Sequence, residues 1–326
     1  MKEILEASAS HLTHRLEKKI KVNQLSRTIL ESGQKVLFIF CDGGLSNRIN
    51  SLINGLVLAE LIKYHSIIVW PSNNRCGANY DEIFESNFLS VNLPLQSFTS
   101  IVSELSLWLH ENDLKFPGDI YALRDLTLMQ AQLLLSRTED RSVLFSENSL
   151  LPWLPVESVA TVARALCFKS SLVVRARELI NASLGGMDLQ YFGVHLRGTD
   201  FPSQPPIEKM LELVKANRDR RFFVCSDDRS IEEIFKRESN VFIHEKSEYV
   251  AKMQEGPWRA MVSDSDGLPY SSNISRSGRS VEEAVVDLLL LANSTIISTS
   301  SSTFLGLANL LRSSGWVSSR LQQLPN

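Results

Sequence analysis

Four short stretches carry side chains whose types and spacing suit work on an anionic ligand. In GVHLRGTDF, residues 193–201, a buried run ends in His195, Arg197, Thr199 and Asp200. An arginine at such a place presents a planar fork matched to phosphate, and a nearby carboxylate can hold that fork in position. The competing reading is an Arg197–Asp200 ion pair that closes a loop, with His195 a hydrogen-bonded structural residue. In FIFCDGGLSNRINSL, residues 38–52, an apolar run breaks at Asp42-Gly43-Gly44, and Asn47 and Arg48 sit where the next helix starts. A Gly-Gly turn allows close backbone approach, and amides at a helix start hold phosphate well; the same turn also serves as a plain strand-to-helix connection.

The other two stretches are FFVCSDDRS, residues 222–230, and SVEEAVVDLLLLANSTIISTSSSTFLGLANLL, residues 280–311. Ser226, Asp227 and Asp228 end an apolar run and precede a helical pattern, so N-capping competes with any role in binding. Adjacent carboxylates diverge and no third ligand is visible, so no metal is expected here or at Asp264 and Asp266. Ser280 with Glu283 reads as a capping box. Asp287 interrupts an apolar helix, where an ionisable group needs solvent or a specific partner. Ser302, Thr303 and Phe304 then open the last helix after a hydroxyl-rich turn.

The elements that must position these loops alternate between short apolar runs and longer segments of helical period. KVLFIFC, SIIVW, YFGVHL, RFFVCS, VFIH and TIIST read as strands, with helices between them. Such alternation predicts an α/β fold with mainly parallel sheets, and two such series in one chain predict two Rossmann-like halves facing across a cleft. The expected division is a helical segment over 1–33, an acceptor-side half over 34–168 and a nucleotide-binding half over 169–326. In sheets of this kind ligands gather beyond the carboxyl ends of strands, where all four loops fall. Neither the Walker A pattern nor G-x-G-x-x-G is present.

Taken in order, the four loops resemble the GDP-fucose-dependent fucosyltransferase superfamily of nodulation, core α1,6- and protein O-fucosyltransferases. GGLSNRINSL is similar to its first loop, HLRGTD to its H-x-R-x-x-D motif, CSDD to its second C-terminal motif, and the stretch from Asp287 to SSSTF to its third. WPSNNRCGANYDEIF, residues 70–84, resembles a segment of the bacterial members. The resemblance implies a GT-B fold and an inverting, metal-independent transfer of fucose from GDP-fucose to a glycan hydroxyl. It implies that Arg197 holds the β-phosphate and that Gly43, Gly44 and Asn47 approach the diphosphate. His195 falls on the donor-binding motif, Asp287 on the acid that accepts from the guanine edge, and Ser302, Thr303 and Phe304 on residues near phosphate and base. Asp228 falls on the second-motif carboxylate. Asp200 is the first candidate for general base by position, because Glu208 stands too far along. Gly198 departs from relatives that carry a second arginine there, which leaves room for another GDP-hexose or for a non-catalytic GDP-sugar-binding scaffold.

Composition bounds the rest. A net charge of −3 over 326 residues gives no electrostatic reason to expect nucleic acid. The run of apolar residues needed for a membrane span, about 18, is absent, and the first residues lack a signal-peptide core, so a cytoplasmic protein is expected, peripheral to the inner face of a membrane at most. Cys41, Cys76, Cys167 and Cys225 lie far apart and read as buried thiols. The sequons at Asn181, Asn273 and Asn293 are read as chance matches. The acceptor is expected against residues 71–80 and 110–120.

Overall fold

A computed structural model describes residues 36–85, 88, 90–91, 129, 142–145, 149–187, 190–199, 206–263, 269–270, 272–297 and 302–322. The expected helices over 1–33, the acceptor loop over 110–120, and Asp200, Asp264 and Asp266 lie outside them.

VLFIF forms β1 (Val36–Phe40), followed by α1 (Leu45–Ile62) and β2 (His65–Val69). Leu37 and Ile39 are fully buried, as are Ile49, Leu52, Ile53 and Val57, the apolar positions of α1 that recur at helical spacing. A strand that reads as an unbroken apolar run belongs in a parallel sheet covered on both faces. β1 pairs in parallel with β2, Phe38 opposite Ile67, and with β4 (Ser142–Phe145), Phe38 opposite Leu144. With β3 (Ser90–Val91) the first sheet has the order β3-β2-β1-β4. Short α2 (Tyr80–Ile83), α3 (Val156–Ala165) and α4 (Ser170–Leu179) follow around it, the last continued by a wider turn over Ile180–Leu184.

The second series repeats the alternation: β5 (Phe192–Leu196), α5 (Ile207–Ala216), β6 (Phe222–Ser226), α6 (Arg229–Phe235), β7 (Val241–Phe242), a small antiparallel pair β8 (Val262–Ser263) and β9 (Pro269–Tyr270), α7 (Gly278–Asn293), β10 (Thr295–Ile296) and α8 (Thr303–Ser313). Its sheet has the order β10-β5-β6-β7, all parallel, with His195 opposite Cys225 in the β5–β6 register. The α/β class with parallel sheets is therefore present as read.

One apolar core runs from β1 and α1 through α4 to α7 and α8, and a second cluster, including Val194, Leu196, Val214, Val224 and Phe235, fills the far face of the second sheet. α8 packs on α1 and α3, and α7 packs on α4. Aromatic rings continue this seam: Trp70 and Phe84 lie 5.9 Å apart, Phe84 and Phe168 5.0 Å, Phe168 and Trp316 5.3 Å. The segment after α8 is sewn back by polar bonds. Trp316 Nε1 donates to the Leu166 carbonyl at 2.7 Å, Arg164 Nε to Ser314 O at 2.7 Å, and the Arg177 guanidinium to Leu321 O at 2.7 and 3.0 Å.

Candidate active site

The loop after β1 explains its own composition. Gly43 adopts φ +82°, a conformation that L side chains rarely take, and a Cβ there would lie 3.0 Å from Asn47 Nδ2. Gly44 is the N-cap of α1 with ordinary extended dihedrals, so the turn needs a glycine for its backbone only at Gly43. Arg48 is fully buried and is not a ligand-facing cation. Its Nε donates to Gly43 O at 2.7 Å, Nη2 donates to Asn73 Oδ1 at 2.8 Å, Nη1 donates to Pro71 O, and the group lies 5.4 Å from the Trp70 ring centroid. The arginine thus ties the loop after β1 to the loop after β2. Asp42 is held by Arg75 Nη1 at 2.6 Å.

The loop after β5 is organised by Asp227, which sequence reasoning did not single out from its neighbour. Asp227 Oδ1 accepts from the Gly198 amide at 2.7 Å, Oδ2 accepts from the Thr199 hydroxyl at 2.5 Å, and the Arg197 Nε lies 3.9 Å from Oδ2. A carboxylate facing Arg197 therefore comes from the end of β6. Arg197 keeps 29% of its side chain exposed. Asp228 behaves as the helix cap of α6, its Oδ1 accepting from the Ser230 amide at 2.8 Å and the Ser230 hydroxyl at 2.7 Å.

Gly198 has a packing reason to lack a side chain. A Cβ would sit 2.4 Å from Ile231 Cδ1 and 2.6 Å from Asp228 Cβ, so no arginine fits at this position without displacing α6.

His195 is buried and stacks on Phe304, with ring centroids 4.9 Å apart and planes 29° from parallel. Burial pushes its imidazole down to about 4, against a weaker pull upward from Asp227 and Asp287, so the ring is neutral near pH 7. Thr303 Oγ1 meets Ser46 Oγ at 3.0 Å, which joins the first turn of α8 to the first turn of α1. Ser302 caps α8 by accepting from the Phe304 amide at 3.2 Å. The contacts Ser46–Thr303 and Phe304–His195 thus bring the starts of α1 and α8 and the end of β5 together, the region where the strand-end rule places ligands.

Asp287 anchors a buried ionic network whose other members were not legible as such. Its Oδ1 contacts His244 Nδ1 at 2.9 Å and its Oδ2 contacts Lys246 Nζ at 3.0 Å. Lys246 also donates to Glu232 Oε1, and Glu232 Oε2 accepts from the Tyr249 hydroxyl at 2.5 Å. His244 Nε2 lies 3.1 Å from Glu283 Oε2, which pairs with Arg175 Nη2 at 2.7 Å. Burial alone would lower the His244 imidazole, but the Asp287 and Glu283 carboxylates overcome it and hold the value above 6.5. Burial would likewise raise Glu283, yet bonds from His244 and Ser247 together with Arg175 bring it down to about 2. The capping box expected at Ser280 does not form. The N-cap of α7 is Ser277, which accepts from the Ser280 amide at 3.0 Å, because Glu283 is drawn inward by His244 and Arg175 and does not turn back to the helix start.

Parallel sheets whose strand-end elements meet around an arginine and a helix start define an α/β fold of the class that gathers ligands beyond the carboxyl ends of its strands. Solved structures narrow that class to one fold. NodZ α-1,6-fucosyltransferase co-crystallised with GDP superposes with a TM-score of 0.56 at 16% identity, over 85% of this chain and 92% of that one. A NodZ crystal soaked with GDP-fucose gives 0.54 at 17% identity over 85% and 92%. A mutant of Arabidopsis thaliana FUT1 in complex with GDP gives 0.52 at 15% identity, over 86% of this chain and 69% of that one. The chain therefore has the fold of the GDP-fucose fucosyltransferases. No protein-family model and no curated protein matches its sequence. Among the described residues, no group of three or more His, Cys, Asp or Glu is placed to hold a metal, and no helix is long and apolar enough to cross a membrane.

Proposed function

We propose that the protein is an inverting glycosyltransferase that moves fucose from GDP-fucose to a hydroxyl of a glycan acceptor, with the donor held mainly by the C-terminal half. The observation that carries this reading is the loop after β5. Arg197 is held beside Asp227, partly open to solvent, within a loop whose amide and hydroxyl are also bonded to Asp227. The NodZ and FUT1 structures, solved with GDP or GDP-fucose, share the fold that places it. In such a transfer the acceptor oxygen bonds to the anomeric carbon as the carbon–oxygen bond to the β-phosphate breaks. The electron pair leaves on GDP and the acceptor proton passes to a base, with Asp200 the nominated carboxylate. Arg197 and helix-start amides supply positive charge to the departing diphosphate, the task a divalent metal performs elsewhere, so activity should persist in EDTA. The neutral His195 ring and Phe304 form a flat wall on the side assigned to the base, whereas Asp287 is buried with its oxygens on His244 and Lys246.

Calorimetric titration with GDP, GDP-fucose, GDP-mannose and UDP in EDTA tests the reading, followed by an acceptor screen with the sugar donor that binds. GDP binding that is sharply weakened but still measurable in Arg197→Ala, with transfer falling roughly 100–1000-fold, is the expected result. Binding of UDP in preference to GDP, or no guanine nucleotide binding at all, would overturn it.

A further inference from the structure

Arg276 is a second cation facing the opening loop, and nothing in the motifs points to it. Its backbone is pinned from both sides: its amide donates to Asn74 O at 2.9 Å, its carbonyl accepts from the Gly77 amide at 2.8 Å, and the preceding Ser275 exchanges both backbone bonds with Ala251 at 3.0 and 2.7 Å. These bonds fix the residue immediately before the N-cap of α7 against the loop after β2. From there the half-buried side chain carries Nη1 to within 4.0 Å of the point where a Cβ on Gly44 would stand. Neighbouring arginines are engaged: Arg48 with Gly43, Pro71 and Asn73, Arg75 with Asp42, and Arg279 with Glu282 and Glu283. The Arg276 guanidinium forms no hydrogen bond or ion pair with any of the described residues, so its donors and charge face the loop unspent.

The vacancy it would fill is also in the structure. Gly198 cannot carry a second cation beside Arg197, because Ile231 and Asp228 occupy the space. The β-phosphate of a nucleoside diphosphate gains a further charge as it departs, and a single partly exposed arginine, Arg197, neutralises only part of it. We infer that Arg276 grips the β-phosphate of the nucleoside diphosphate from the side of the Gly43-Gly44 loop, replacing the cation that position 198 cannot hold. The inference rests on the proposed GDP-sugar site. The proposed site assigns the base to the side of His195 and Phe304, which leaves the start of α1, where Arg276 reaches in, to the phosphate end.

The test is calorimetry in EDTA with GDP and GMP on the intact protein, its Arg276→Ala and Arg276→Gln variants, and Arg276→Lys. Loss of charge-assisted hydrogen bonds to one phosphate should weaken GDP roughly 10–100-fold in the Ala and Gln variants. GMP, which lacks that phosphate, should bind within about threefold of the parent, and Lys should recover part of the GDP loss. The pinned backbone is retained in all three variants, and thermal melting checks this directly. If the parent binds GDP and the variants bind it equally well, or if they lose GDP and GMP alike, the inference is wrong while the GDP-sugar site stands. If the parent fails to bind GDP, both fall.

Discussion

The assignment of Asp227 as the holder of Arg197 yields a prediction with a calculable size. Asp227→Ala removes the acceptor of two short bonds, from the Gly198 amide at 2.7 Å and the Thr199 hydroxyl at 2.5 Å. Bonds to a charged acceptor contribute about 1.5–3 kcal/mol each, and a side chain with 16% exposure lets water recover part of that, so a loss of about 2–3 kcal/mol in urea unfolding is expected. Asp227→Asn separates fold from function. Its amide oxygen can still accept from Gly198, while the charge facing Arg197 across 3.9 Å is gone. Screening at a half-exposed pair reduces that attraction to about 1 kcal/mol or less, so stability should change little. What should change is the aim of Arg197, and with it GDP affinity, by roughly 3–10-fold. A double-mutant cycle with Arg197→Ala is the decisive assay. If Asp227 acts through Arg197, Asp227→Asn should have little further effect on GDP binding once the arginine is gone, a coupling of at least about 0.5 kcal/mol. Additive effects would refute the reasoning and leave Asp227 as a loop staple alone.

Other perturbations follow from the same contacts. Gly198→Ala places a methyl 2.4 Å from Ile231 Cδ1, and should cost about 1–3 kcal/mol in chemical unfolding; Gly198→Arg should cost more and should not improve GDP binding. Lys246→Met leaves the Glu232 and Asp287 carboxylates buried without their shared cation, and a drop of about 3–5 kcal/mol is expected. Stability should peak near pH 6.5. His195, with a folded value of about 4 against an ordinary 6.5, gives stability that is full above 6.5 and lost as pH falls toward 4. Glu283 adds a further loss between its ordinary 4.5 and about 2. His244 works in the opposite sense, its contribution complete below 6.5 and lost as pH rises through its elevated folded value. Urea melts across pH 4 to 9 check this, and a His195→Gln variant that kept the full slope between 4 and 6.5 would remove His195 as its source.

Much of the fold was legible because its signals are local. KVLFIFC and RFFVCS are apolar without interruption, and only strands buried on both faces tolerate that pattern in so short a run. The helix over Ile49, Leu52, Ile53, Leu56 and Val57 announced itself by spacing. The candidate site was legible to the level of loops and no further. Between Asp227 and Asp228, sequence offers no criterion; the strand's pleat and the cap geometry of α6 decide which carboxylate turns to Arg197 and which closes the helix. The capping box at Ser280 and Glu283 had the right residues and spacing, but His244 and Arg175, 39 and 108 positions from Glu283, captured the carboxylate. Arg48 read as a helix-start cation because its partners, Pro71 and Asn73, belong to another loop. In each case at least one deciding contact is non-local, from Asp227 to Gly198 and Thr199, from Glu283 to His244 and Arg175, or from Arg48 to Pro71 and Asn73.

The packing of α8 on α1 also sets the order in which the chain can become itself. The helix over Leu45–Ile62 completes its apolar burial only when Thr303–Ser313 arrives, and the segment through Leu321 then returns to bond with Leu166, Arg164 and Arg177. During synthesis the helix over Leu45–Ile62 must wait, with part of its surface uncovered, until residues 303–313 have been made. A ribosome stalled before residue 303 should therefore hold a nascent chain that remains sensitive to protease across α1, whereas one stalled beyond residue 322 with the tail clear of the exit tunnel should not.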